Sequence, residues 1–336
     1  MDPAIFTPAS AVAPPAPLPW QWFQFRQLPR DASPKLLQSL AHEPPEAAAD
    51  RVWRVLLDGQ PMPFKFLRKP VTPGAHPRPT LMILHGMGLT IASFRGMAAY
   101  LLQSHDLILP DYSGFSLSAM PLPAHTSMQE FATAVWRIAD AVGAEKISLA
   151  GNSLGGGLCI TAAMLAQNRV DRIALSNPAC FPQTLPKMYR MAKIPIVGEL
   201  MMALSPPEKF VGGVEYIGYT DKTRFDPVLR GLYTAHLADR RTRFRLMQII
   251  RQLPANEYDL TPARHLSSLS ELTCPVLITW GLQDKLLTQG AGKKLAEALP
   301  NSIYWEIQDL SHMPHEEAPE RLGPRWSAFL NGRPLV

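Results

Sequence analysis

A serine held between glycines offers the first piece of chemistry in this chain: Gly151-Asn152-Ser153-Leu154-Gly155-Gly156. It follows the apolar run Lys146-Ile147-Ser148-Leu149-Ala150 and precedes a helical pattern from Leu158 to Ala166. Strand, tight turn and helix form the setting in which a serine hydroxyl is lifted off a sheet edge and exposed. So sharp a turn brings neighbouring backbone very close, and Gly151 and Gly155 have no Cβ to collide there. The helix behind Ser153 aims its N-terminus at the same spot. Its free N–H groups and partial positive charge suit a developing oxyanion.

A serine hydroxyl is a poor nucleophile until a base takes its proton, and the base needs an acid to orient it. On a strand-turn-helix elbow the order along the chain is serine, then acid, then histidine. The C-terminal third supplies both partners in that order. Cys274–Trp280 reads as a buried strand ending in Gly281-Leu282-Gln283-Asp284-Lys285, which places Asp284 just beyond it. A helix from about Thr288 to Leu299 and a short strand, Ile303–Ile307, come next. Asp309-Leu310-Ser311-His312-Met313-Pro314 then forms a loop before the last helix. In an open parallel sheet, reactive groups gather at the carboxyl ends of the strands. His315 competes with His312, but it falls in the first helical turn, whereas His312 lies in the loop. Asp111 and Asp309 compete with Asp284, and Asp309 is too near His312 in sequence to face it easily.

Four separate motifs occur in a fixed order: Leu84-His85-Gly86-Met87-Gly88, Asp111-Tyr112-Ser113-Gly114-Phe115-Ser116, the elbow, and the Asp284/His312 pair. With them the chain resembles the α/β-hydrolase superfamily over roughly residues 50–332. The resemblance implies that Ser153 is the nucleophile, His312 the general base and acid, and Asp284 the orienting carboxylate. The backbone N–H groups of Met87 and Leu154 would form the oxyanion hole. His85 and Gly86 would shape its loop, with Gly151 and Gly155 supporting the elbow. Asp111 would fix the turn after its strand. The chemistry implied needs neither a metal nor an organic cofactor.

The elements that must position these groups follow a β-α-β-α rhythm. Val52–Leu57 and Pro63–Leu67 read as an opening hairpin around Asp58-Gly59. Strand Thr80–Leu84 leads to a helix over about Ser93–Leu102. Strand Leu107–Leu109 leads to a helix starting at Ser127, where Ser127-Met128-Gln129-Glu130 has the form of a capping box. The elbow strand and strand Arg172–Ser176 follow. The expected fold class is α/β, a mostly parallel sheet with helices on both faces. The rhythm breaks over residues 181–266, where Met188–Met191, Val197–Leu204, Leu229–Leu237 and Phe244–Leu253 have helical spacing. By the resemblance this is a helical lid inserted after the sixth strand. Residues 50–180 and 267–336 are then the core, and 1–49 a Pro/Ala-rich N-terminal arm. Within the arm, the aromatics of Trp20–Phe25 are expected to dock on the body. Met188 and Met191, with Met201 and Met202, line an adaptable acyl pocket or pack the lid onto the core; both readings stand.

Composition limits the alternatives. The chain has 336 residues, 46% hydrophobic and 18% charged, which suits a large core and neither a disordered nor a nucleic-acid-binding protein. Three cysteines, Cys159, Cys180 and Cys274, lack metal-type spacing and do not form a disulfide scaffold. The N-terminus has no basic region followed by an apolar run, and no apolar stretch reaches membrane-spanning length, so a cytoplasmic protein is expected. Residues 181–266 hold 13 Lys plus Arg against 8 Asp plus Glu, which equals the whole chain's formal charge of +5. That basic stretch is read as a solvated helix face, with anionic substrate or lipid as the sharper alternative.

The reaction expected is cleavage of a small-molecule carboxylic ester by two-step acyl transfer. A meta-cleavage carbon–carbon hydrolase is the alternative, with an elbow similar to Gly-Asn-Ser-Met-Gly-Gly and with Arg230 placed to bind a dienoate. Thioesterase and acyltransferase chemistry also fits. A non-catalytic ligand-binding receptor is the reading of a different class.

Overall fold

The computed structural model describes residues 14–25, 29–33, 44–57, 60–69, 78–112, 128–181, 187–252 and 269–335. The turn Asp58-Gly59, the motif residues Ser113–Ser116, the capping position Ser127, and residues 182–186 and 253–268 of the expected lid lie outside them. Described strands, in chain order, are β1 (Arg30–Asp31), β2 (Trp53–Leu57), β3 (Gln60–Leu67), β4 (Thr80–Leu84), β5 (Asp106–Pro110), β6 (Ile147–Asn152), β7 (Val170–Ser176), β8 (Val276–Gly281) and β9 (Ser302–Ile307). Helices are α1 (Pro45–Asp50), α2 (Arg95–Leu101), α3 (Met128–Val142), α4 (Leu154–Leu165), α5 (Lys187–Lys193), α6 (Val197–Leu204), α7 (Pro207–Gly218), α8 (Pro227–Ala238), α9 (Arg240–Gln252), α10 (Ala291–Ala298), α11 (Pro314–Glu317) and α12 (Pro319–Leu330).

The strands form one sheet in the order β1-β2-β3-β5-β4-β6-β7-β8-β9. Only β3 runs antiparallel to its neighbours, β2 and β5. Its first residues include Pro61 and Pro63, which cannot donate to a ladder. They are tolerated because β5 reaches only to Phe64, so the prolines have a strand on one side alone. The central strands β4, β6 and β8 are buried along their whole length, as a parallel sheet covered on both faces requires. Two apolar clusters lie on the two faces. One joins α3 and α4 to the sheet, and the other joins α2 and α12 to it and takes in side chains of α6 to α9. Phe23 is buried in the second cluster, and Arg95 stacks over the Trp20 ring at 4.2 Å, so the aromatic segment docks on the body.

Five described helices, α5 to α9, separate β7 from β8. One of them, α7, is not apparent from the sequence. Gly212, Gly213 and Gly218 lower its helix propensity and blur the apolar period, and Pro207 at its first turn was the available signal.

Candidate active site

The parallel strands deliver the candidate residues to one edge of the sheet. Beyond β6, Ser153 sits at φ 54° and ψ −119°, a strained conformation for a residue with a side chain. Surrounding structure holds it there. Its N–H donates to the Ser176 carbonyl at 3.1 Å, and its own carbonyl accepts from Ala179 at 2.8 Å and Gly157 at 3.1 Å. A Cβ on Gly155 would collide with the backbone of Leu84 and His85, so the elbow helix lies directly on the end of β4. Leu154 is buried at the first turn of α4.

Asp284 and His312 lie beyond β8 and β9. Nδ1 of His312 and Oδ2 of Asp284 are 2.8 Å apart, and both residues are buried. With its Nδ1–H donated to the carboxylate, the imidazole keeps its Nε2 lone pair available. The Asp284 carboxyl is depressed below its ordinary value. Burial alone would raise it, but the His312 charge and hydrogen bonds from His312, Leu287 N and Leu286 N outweigh burial. The competing groups stand elsewhere. His315 is buried against Ser93 with Nε2 to Oγ at 2.8 Å, and burial, reinforced by the charge of His312, lowers it to about 3. Asp309 pairs with Arg321 at 2.8 Å. Asp111 lies 3.6 Å from His85 Nε2. The ring of His85 stacks on Tyr112 at 4.1 Å, and its Nδ1 lies 2.8 Å from the Gly86 carbonyl, which stiffens the loop carrying Met87.

Three supporting groups were not singled out from sequence. Asn177, beyond β7 at φ 42°, donates to Asp284 Oδ2 at 2.7 Å and accepts from the Gly281 N–H at 3.0 Å. It fixes the acid from the neighbouring strand. Asn152 donates to the carbonyls of His312 and Ser176, each at 3.0 Å, and so ties the elbow to the histidine loop. Glu317 accepts from Ser311, Thr220 and Asp221 N–H groups, which joins that loop to the end of α7. An asparagine next to a motif carries a weak signal, because only the fold shows what its amide reaches.

Ser153, His312, Gly86, Met87 and Asn152 line one cleft of about 750 Å³, its open mouth included. The helical insertion supplies much of the wall: Tyr189 from α5, Phe210, Gly213, Val214 and Ile217 from α7, Leu237 from α8 and Leu246 from α9. Among the described residues lining it there is no carboxylate, lysine or arginine. Arg230 is not in that lining. It pairs with Glu215 at 2.9 Å and lies over the Phe225 ring at 4.5 Å. Met191 is exposed and also outside the cleft, while Met202 is buried in the second apolar cluster. Met188 lies on α5, and its side chain is outside the described set. The described residues contain no cluster of metal-ligating side chains, and all three cysteines are free and buried.

Comparison with known proteins agrees with this architecture. A family profile described as the alpha/beta hydrolase fold matches residues 79–197. An uncharacterized hydrolase, YugF, of Bacillus subtilis is 24% identical over 75% of this chain and 90% of its own length. Lipase 1 of Psychrobacter immobilis is 22% identical over 74% of this chain and 76% of its own. The carboxylesterase CesB of Bacillus subtilis overlays 84% of this chain and 92% of its own with a TM-score of 0.66, at 21% identity. A profile running from β4 through the elbow and an overlay reaching across most of the chain lead to one assignment: this chain has the α/β-hydrolase fold.

Proposed function

We propose that this protein is a serine hydrolase that cleaves carboxylic esters of uncharged, apolar acyl groups through an acyl-enzyme intermediate. The observation that carries this reading is that His312, hydrogen-bonded to Asp284 at 2.8 Å, and the strained Ser153 line one cleft. Ser153 Oγ attacks the ester carbonyl as His312 Nε2 accepts its proton. Asp284 holds the ring and stabilises the imidazolium that forms. The N–H groups of Leu154 and Met87 receive the oxyanion, helped by the N-terminus of α4. His312 then protonates the leaving alcohol, and water repeats the cycle on the acyl-enzyme.

Substrate class follows from the wall. A cleft whose described lining holds no formal charge favours a neutral acyl chain over a carboxylate-bearing one. A dienoate-cleaving enzyme would gain from a cation in the cleft, and Arg230 is engaged by Glu215 instead. The similarity to a lipase and a carboxylesterase supports ester cleavage. Helices α5 to α9 act as the lid in this reading, excluding water from the oxyanion site.

The test is a p-nitrophenyl ester series from acetate to palmitate on wild type and Ser153→Ala. We expect Ser153→Ala to lower kcat by about 10⁴–10⁶-fold while ligand affinity is kept. A fluorophosphonate should label Ser153 covalently. A folded wild type with no turnover on any ester and no labelling would sink the ester reading and favour a ligand-binding role.

A further inference from the structure

Among the described residues eleven large hydrophobic side chains are exposed, and six of them fall in one stretch: Met191, Ile194, Ile196, Val197, Leu200 and Leu204. Scattered exposed hydrophobics are ordinary, but a contiguous patch marks an interaction surface. Val197, Leu200 and Leu204 share one face of α6, while Gly198 and Met202 are buried on the other. So α6 is apolar on both faces. A helix of that kind is normally enclosed by protein or lipid.

The turn leading into α6 adds an independent observation. The N–H of Val197 donates to the Pro195 carbonyl at 2.8 Å, closing a three-residue turn centred on Ile196 at φ 69° and ψ −50°. A β-branched side chain is costly at positive φ, where glycine, asparagine or aspartate fits better. Yet Ile196 is 72% exposed and Leu204 75%, so neither gains much from burial in its own chain. Internal stability does not account for an apolar residue held in strain at an exposed tip.

Charge indicates what covers it. Residues 187–204 with Arg251 hold four cations against one carboxylate, a net charge of +3. That carboxylate, Glu199, is engaged by Arg251 through two bonds of 2.6 and 2.9 Å. Lys187 and Arg190 are exposed on α5, the helix that lends Tyr189 to the cleft. An apolar tip beside cations suits the boundary between acyl chains and anionic headgroups. A second copy of the chain fits less well, because a two-fold contact would bring the same cations together. No described helix is long and apolar enough to cross a membrane.

We propose that the Ile194–Val197 turn and the outer face of α6 dock on an anionic phospholipid bilayer. Ile194, Ile196, Leu200 and Leu204 enter the headgroup–acyl boundary, and Lys187, Arg190 and Lys193 meet the phosphates. The contact sets the helix that walls the cleft against the lipid surface. The proposal goes beyond ester cleavage and is read without turnover.

The experiment is co-sedimentation of the full chain with phosphatidylcholine vesicles, with and without phosphatidylglycerol. Wild type should pellet with the anionic vesicles and be released as salt is raised. Ile196→Asp/Leu200→Asp should weaken partitioning at least about tenfold. Lys187→Gln/Arg190→Gln should weaken it about fivefold per removed cation at low salt. Aspartate tolerates positive φ better than isoleucine, so the first variant should keep the wild-type melting temperature. Turnover of a soluble ester should also be unchanged, since these side chains do not line the cleft. Three results would overturn the proposal: wild type left in the supernatant with both vesicles, Asp variants bound as tightly as wild type, or a lipid-free dimer that Ile196→Asp/Leu200→Asp splits.

Discussion

The edge of the sheet that carries Ser153 and the helical insertion above it solve opposite packing problems. At the elbow, backbone lies on backbone. A Cβ on Gly155 meets the carbonyls of Leu84 and His85, and Asn152 and Asn177 spend their amides tying neighbouring loops together. In the insertion, a Cβ on Gly212 or Gly231 would meet nothing within 4 Å, and large apolar side chains stand in solvent along α6. The candidate reacting groups thus rest on a part of the molecule that cannot shift without loss. The outer faces of the insertion are built more loosely, although inside it a Cβ on Gly198 would meet the Ala192 carbonyl at 2.3 Å. Geometry for bond making needs the first property, and a surface that meets varied ligands or lipid needs the second. One buried group joins the two regions. Glu316, beside the His312 loop, accepts hydrogen bonds from Ser93 of the core and from Tyr219 and Tyr233 of the insertion.

Substitutions across this divide should differ in size and sign. The largest effect is expected for Gly155→Ala, where the new methyl has only backbone to displace. A loss above about 4 kcal/mol in denaturant unfolding, or no folded protein, is the expected outcome. A mild loss would mean that the elbow is not the rigid region described. Next is Asn177→Ala, which leaves buried partners on Asp284 and Gly281 and puts alanine at φ 42°. We expect about 2–4 kcal/mol in unfolding, with a drop in kcat larger than any change in KM.

Glu316→Gln tests the junction. Burial, opposed by hydrogen bonds from Ser93, Tyr219 and Tyr233, raises this carboxyl from 4.5 to about 7. Between those values the folded chain holds a proton that the unfolded chain has released. Its contribution is therefore complete below about pH 4.5 and is lost as pH rises towards 7, by up to roughly 3 kcal/mol. Urea unfolding across that window should slope in wild type and flatten in Glu316→Gln; parallel curves would place the slope on another group. The smallest effect, and the only gain, is expected for Gly231→Ala at an exposed position of α8. It should stabilise by about 0.5–1 kcal/mol and leave turnover unchanged. A loss there would show the insertion to be as tightly packed as the elbow.

How much of this could be read from the chain differs between the regions. The sheet was legible because periodicity and punctuation act locally. Thr80–Leu84, Ile303–Ile307 and Val197–Leu204 fall within a residue of the observed elements. Strand β3 begins earlier than expected, at Gln60, because the missing neighbour that excuses Pro61 and Pro63 is a property of the sheet. Helix α7 stayed hidden because its glycines read as breaks, although it contributes four residues to the cleft.

Local pattern in the chain was enough to reveal the α/β class, the strained turn around Ser153 and the order in which an acid and a histidine follow it. Those features depend on neighbours in the chain: a turn too tight for a Cβ, and loops at strand ends. Long-range packing was needed to bring Asp284 to His312 at 2.8 Å with Asn177 behind it, and to turn His315 to Ser93. Arg230 shows the limit most clearly. Its place in the chain allowed a role in the cleft, and Glu215, 15 residues earlier, holds it elsewhere. Contacts between residues far apart in sequence arise when whole faces pack together, and no local pattern encodes which partner is met.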